Sequence, residues 1–226
     1  GLAGLNPKRF SFVFLGDSRG SVSRCDVPAG QTLNPSPQDQ LVVRMLTEAA
    51  GQLSAAVDAP PERRNAFMLY SGDLVTRGSC TKDWAWIERL FLSRIPRARL
   101  LPAIGNHETW HGKDEPEPLL QYFRAFPHLT APGSSGREGW HHYAAEVGEV
   151  LVVTLCTGGY PRFGTEEDFL RSDRTWDCTQ ASYAQQMRWM DQVLARAAAR
   201  GTRHVVVQYH KPSYSQSRHP PLDAAN

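Results

Sequence analysis

Four short runs in this chain carry residues that bind metals or move protons, and each directly follows an apolar stretch of strand-like composition. They are Gly16-Asp17-Ser18-Arg19, Gly72-Asp73-Leu74-Val75, Gly105-Asn106-His107-Glu108 and Tyr209-His210-Lys211-Pro212. A single Gly-Asp pair signals little, because Asp often ends a strand for reasons of turn geometry alone. Four strand ends that each bring a carboxylate, an amide or an imidazole are hard to explain by turns. Two carboxylates (Asp17, Asp73), an amide oxygen (Asn106) and an imidazole (His210) form a mixed oxygen and nitrogen set that suits Mn, Fe or Zn better than Ca. A carboxylate such as Asp73 can bridge two ions, and a two-ion site can hold both the attacking and the leaving oxygen of an in-line phosphoryl displacement.

The elements that must position these residues alternate along the chain. β-rich runs are expected at residues 10–15, 66–71 and 98–104. Between them fall a helix from Ser36 as N-cap and Pro37 as first helical residue to about Val57, and a second over residues 82–95 with Trp84, Ile87, Leu90 and Phe91 on one face. A short helix follows near residues 119–126. This order predicts parallel strands joined by helical crossovers. The pattern then changes to a hairpin, residues 140–147 and 149–154 around Gly148. A helix within residues 177–200 follows, with Met187, Met190, Val193, Leu194 and Ala197 as its apolar stripe and Gly201 at its end. The last strand spans residues 204–209. In an open α/β sheet, ligands bind beyond the carboxyl ends of the strands, where Asp17, Asp73, Asn106, His107 and His210 all fall.

Composition bounds the function. The chain has 226 residues, 41% hydrophobic and 21% charged, enough for one large globular domain with a substantial core. A net charge of +2 gives no basic field that argues for a nucleic-acid partner. No run reaches the roughly 20 apolar residues of a membrane span, and the first strand begins too close to Gly1 for a signal peptide to precede it, so any export signal has been removed or never existed. Oligomeric state is left open. Cys25, Cys80, Cys156 and Cys178 lack the C-x-x-C spacing of a structural zinc site. Bridges from Cys25 to Cys80 and from Cys156 to Cys178 would suit their places in the loops. They favour a periplasmic or secreted protein over a cytoplasmic one with four reduced thiols.

In sequence order, Gly16-Asp17, then Gly72-Asp73 with Val75 and Gly78, then Gly105-Asn106-His107-Glu108, then a strand ending at His210 resemble the calcineurin-like metallophosphoesterase family. That family includes purple acid phosphatases, nucleotidases and phosphodiesterases. The resemblance runs from Phe10 to His210. It implies an α/β fold, a four-layer α-β-β-α sandwich with a dinuclear centre at one sheet edge, and a single domain over residues 1–226 that is incomplete at its C-terminus. It implies that Asp17 binds the first metal, that Asp73 bridges both, and that Asn106 and His210 bind the second. His107 would stand beside the metals, donating a proton to the leaving oxygen or steadying the phosphoryl group. The implied cofactors are two divalent or trivalent ions (Mn, Fe or Zn). The implied reaction is hydrolysis of a phosphomonoester or phosphodiester substrate by metal-bound hydroxide.

Three departures qualify the resemblance. The family's first motif is Asp-x-His, and Arg19 stands at the His position. A guanidinium cannot ligate a metal but can clamp a phosphate oxygen, or simply form an ion pair that steadies the loop. The family's Gly-His-x-His segment does not occur before Asn226, which leaves open an inactive or weakly active relative that binds a phosphorylated ligand or protein. Thr76 stands where purple acid phosphatases carry a Tyr ligand, which argues against a charge-transfer Fe(III) centre. Trp110 and His111 beyond the third motif suit a leaving-group contact or a cap on the loop core. His141 and His142, expected within a strand, read as packing or surface residues. Tyr160, Phe163 and Tyr214 suit a pocket lining or a loop anchor.

Overall fold

The computed structural model describes residues 11–54, 65–112, 116, 118–130, 141–147, 149–157 and 180–211. Three parallel strands, β1 (Ser11–Leu15), β2 (Asn65–Tyr70) and β3 (Leu100–Pro102), form one sheet in that order. A second sheet holds β4 (Tyr143–Val147), β5 (Val150–Thr154) and β6 (His204–Gln208), with β4 antiparallel and β6 parallel to β5. Among the described residues the α-helices are α1 (Pro37–Ser54), α2 (Thr81–Leu90), α3 (Pro118–Ala125) and α4 (Gln180–Ala199). The fold is α/β.

Helix α1 starts where its first residues satisfy their own backbone. Ser36 Oγ accepts from Asp39 N (3.1 Å), and the Asp39 carboxylate accepts from Ser36 N (2.9 Å), a reciprocal capping box with Pro37 at the first helical position. Val42, Leu46, Ala49, Ala50 and Leu53 then form one buried stripe.

Two clusters define the layers. Alternate residues of β5 separate by face: Val152 joins the main core with Phe67, Met68, Tyr70, Leu46 and Ile87. Leu151 and Val153 pack instead against Val193 and Ala197 of α4. Helices α1 to α3 and both sheets thus share the main core, and α4 covers the other face of the second sheet. Polar contacts join the sheets near their carboxyl ends. Gln208 Nε2 donates to Leu101 O (2.8 Å) and Thr154 Oγ1 (2.7 Å). Pro102 O accepts from both Tyr122 (2.8 Å) and Tyr143 (2.9 Å).

Some elements are shorter than the sequence suggests. Helix α2 ends at Leu90 because buried Phe91 leaves helical geometry (φ −131°, ψ −59°), and Leu92–Arg94 continue as a 3-10 turn. The strand expected at residues 98–104 is confined to Leu100–Pro102, since Pro96 leads into a 3-10 turn at Arg97–Arg99. His141 and His142 lie in the turn before β4 rather than in a strand. His142 lies against Trp189 (4.4 Å between centroids) and His141 against Phe123 (6.4 Å), in keeping with packing roles.

Burial works against the Asp39 carboxylate, but hydrogen bonds from Ser36 and Ser21 outweigh it and bring its pKa down to about 2. A depressed carboxylate stabilises the fold fully above its unfolded value of about 4 and loses that effect as pH falls through the folded value. Asp39→Asn is expected to cost about 1–2 kcal/mol at pH 7. For a chain of this size that is a drop in Tm of roughly 2–8 °C. Thermal unfolding followed by circular dichroism should show the gap closing between pH 4 and pH 2; equal Tm values at pH 7 would show that the cap contributes nothing.

Candidate metal centre

The first sheet delivers its chemistry through two left-handed turns. Asp17, after β1, and Asp73, after β2, have φ values of 51° and 60°, a region that costs a non-glycine residue roughly 1–2 kcal/mol. Asp17 N donates to Gly72 O (2.9 Å), so the two strained turns are joined. Strain of this kind persists only where the surroundings over-determine it. Gly72 (φ 97°) shows how tightly they do so: a Cβ there would lie 2.6 Å from Gly105 N. A Cβ on Gly105 would lie 2.2 Å from Asp73 Oδ1.

Glu108 fastens this arrangement from inside. Its buried carboxylate accepts from Asp73 N (2.7 Å), Leu74 N (2.7 Å) and Val75 N (3.2 Å), and also from Gly105 N (2.7 Å). One side chain therefore joins the turn after β2 to the turn after β3. Asp73 is itself buried, and burial together with the Glu108 charge raises its pKa.

Around Asp73 the donors converge. His107 N donates to Asp73 Oδ1 (3.0 Å), and His210 Nε2 lies 3.5 Å from the same oxygen. His210 Nδ1 meets Ser71 O at 2.9 Å; a carbonyl only accepts, so Nδ1 carries the proton. The other ring nitrogen, Nε2, lies 3.0 Å from Asn106 Oδ1 and 3.5 Å from Asp73 Oδ1. Asp73 Oδ1, Asn106 Oδ1 and His210 Nε2 thus lie together, a mixed oxygen and nitrogen set of the kind that divalent cations take. His107 is fixed in the same way: Nδ1 donates to Thr76 O (2.6 Å), which leaves Nε2 facing Asp73 Oδ2 at 3.9 Å. Trp110 lies against the His107 ring (3.6 Å between centroids), which makes it a cap on the loop core.

The Asp17 side is different. The Asp17 carboxylate is 70% exposed, and Arg19 Nε stands 3.7 Å from Asp17 Oδ1 and 3.5 Å from Asp73 Oδ2. The ion pair considered for Arg19 is thus formed. Among the described residues, no group of three or more His, Cys, Asp and Glu could hold a metal ion; the converging set includes the amide of Asn106.

The loop bearing Arg19 is held at many points. Ser21 donates to Asp39 through both N and Oγ, Thr76 Oγ1 donates to Gly20 O (3.1 Å), and Asp83 accepts from Ser23 Oγ and Arg24 N. The Cys25–Cys80 disulfide ties its far end to the start of α2, as the loop positions suggest. Cys156 is also disulfide-bonded, while Cys178 lies outside the described residues, as do Tyr160, Phe163 and Tyr214.

The expected residues Asp73, Asn106, His107 and His210 are brought together, with Asp17 and Arg19 at one side. Sequence reasoning assigned no role to Glu108, Ser18, Tyr70, Asp39 or Asp83. For Glu108 the signal was a carboxylate inside a motif that follows a wholly apolar strand, where burial demands partners. Ser18 and Tyr70, whose hydroxyls are hydrogen-bonded in the core, carried no signal of that kind.

Compared with protein families, residues 42–225 match the model described as calcineurin-like phosphoesterase. The matched segment contains Asp73, Asn106, His107 and His210 and begins after Asp17 and Arg19. No curated protein matches the chain.

Because Glu108 accepts from four backbone groups, Glu108→Gln places an amide donor among donors. The expected cost is about 2–3 kcal/mol, or roughly 4–12 °C in Tm. Differential scanning calorimetry of the metal-free protein reads this directly, and an unchanged Tm would show that the carboxylate does not hold the turns together.

Proposed function

The chain belongs to the calcineurin-like phosphoesterase family, and from that premise we propose that it hydrolyses a phosphomonoester or phosphodiester with a bound metal ion. The observation that carries this reading is the convergence of Asp73 Oδ1, Asn106 Oδ1 and His210 Nε2 at the ends of two sheets. Of the two ions that the sequence resemblance implies, the one on this side has the donor set that supports it. Asp73, Asn106 and His210 would hold a divalent ion of the Mn, Fe or Zn class, which when bound would acidify a water and polarise a phosphoryl oxygen.

This chain's own residues have separate tasks in that reaction. His210 keeps Nε2 aimed at the centre because Nδ1 is committed to Ser71 O. With Nδ1 of His107 committed to Thr76 O, Nε2 is the ring atom left to exchange a proton with the leaving oxygen. Glu108 holds the backbone that places Asp73. Arg19 contacts both carboxylates through Nε. We assign its guanidinium to a phosphoryl oxygen of the substrate.

The Cys25–Cys80 disulfide supports a periplasmic or secreted location, where such bonds persist. No described helix is long and apolar enough to cross a membrane. A reading without turnover, in which the fold binds a phosphorylated ligand or protein, has one observation in its favour: a guanidinium lies where Asp17 would meet a metal.

Hydrolysis of p-nitrophenyl phosphate and of its bis ester, with added Mn, tests the proposal and reads the ester class. Asp73→Asn is expected to abolish turnover and lower metal content; a fully active variant would refute the assignment of Asp73. His107→Ala is expected to retain metal while kcat falls about 10²–10⁴-fold, most for poor leaving groups. Loss of metal from that variant would make His107 a ligand rather than a proton donor.

A further inference from the structure

Arg19 occupies a position that only a cation suits. Its Nε is buried without a hydrogen-bond partner and stands between Asp17 Oδ1 and Asp73 Oδ2, carboxylates delivered by two different strand ends. Among the described residues, Arg19 is the cation paired with Asp17. The backbone on either side of it is fastened: Gln38 Nε2 reaches Arg19 O (3.4 Å), Thr76 Oγ1 holds Gly20 O, and Asp39 holds Ser21. A side chain at Gly20 would meet Asp39 Oδ1 at 3.0 Å. The guanidinium is therefore presented by a pinned loop. It keeps its charge at any working pH and has no lone pair to give a metal.

Asp73 accordingly has two distinct sides. Oδ1 faces His210 Nε2 and accepts from His107 N, while Oδ2 faces Arg19. The first side gathers the metal-ligand candidates Asn106 and His210, and the second is already met by a guanidinium. A divalent ion within reach of both Asp17 and Asp73 would stand against the guanidinium. We infer that Arg19 supplies the second positive charge of this centre, so that the chain takes one divalent ion, on Asp73, Asn106 and His210, rather than two. This rests on the metal-dependent reading above and fixes the number of ions and the role of Arg19 within it.

Metal counting tests the inference separately from hydrolysis. Full-length protein freed of metal by a chelator is titrated with Mn(II), with bound ions counted by equilibrium dialysis and elemental analysis and their coupling read by electron paramagnetic resonance. The expected result is one Mn per chain with the spectrum of an isolated ion. Arg19→His, which removes the fixed charge and adds a donor, is expected to bind a second Mn and to show exchange coupling. Two coupled ions in the unaltered protein would overturn the inference while leaving metal-dependent hydrolysis intact. One isolated ion without hydrolysis would support the inference and refute the hydrolase reading. Absence of any bound Mn would overturn both. The count on the unaltered protein decides the matter even if Arg19→His fails to fold.

Discussion

A buried carboxylate surrounded by backbone N–H groups is the interaction on which the rest of the centre depends. Glu108 joins the turn after β2, which carries Asp73, to the turn after β3, which carries Asn106. Burying that charge would be prohibitive alone; four donors from rigid backbone make it tenable and convert it into a clamp. The left-handed geometry of Asp73 is part of the same device. The turn after β2 must fold back sharply for its N–H groups to point at Glu108 and its carboxylate to point at His210.

Charge balance explains the arrangement around the clamp. Asp73, Glu108 and Asp17 put negative charge at one sheet edge, and burial of the first two makes that charge expensive. Arg19 offsets it on one side, and His210 Nε2 faces Asp73 Oδ1 on the other. Backbone carbonyls orient both imidazoles: Ser71 O takes Nδ1 of His210 and Thr76 O takes Nδ1 of His107.

Much of this was legible in the sequence because strand ends and turn residues are local signals. Ser36 and Pro37 announced the start of α1, and the strand-end motifs located Asp17, Asp73, Asn106 and His210 at one edge. Lengths were less legible. The apolar run around Leu100 continues beyond its strand because tertiary packing buries Ala103 and Ile104 without extending the ladder. The clamp by Glu108, the loop anchors Asp39 and Asp83, and the bond between Ser18 and Tyr70 join positions far apart in the chain. No periodicity reports such pairings. The effect of Arg19 on the Asp17 side likewise became visible only when its distances to both carboxylates were known.

The most direct test of the centre is an anomalous-scattering map from crystals of the full chain soaked in Mn(II). The account predicts a peak within coordination distance of Asp73 Oδ1, Asn106 Oδ1 and His210 Nε2. A Mn peak elsewhere with none at this position, or full Mn loading in solution with no peak here, would show that these three residues are not the metal site.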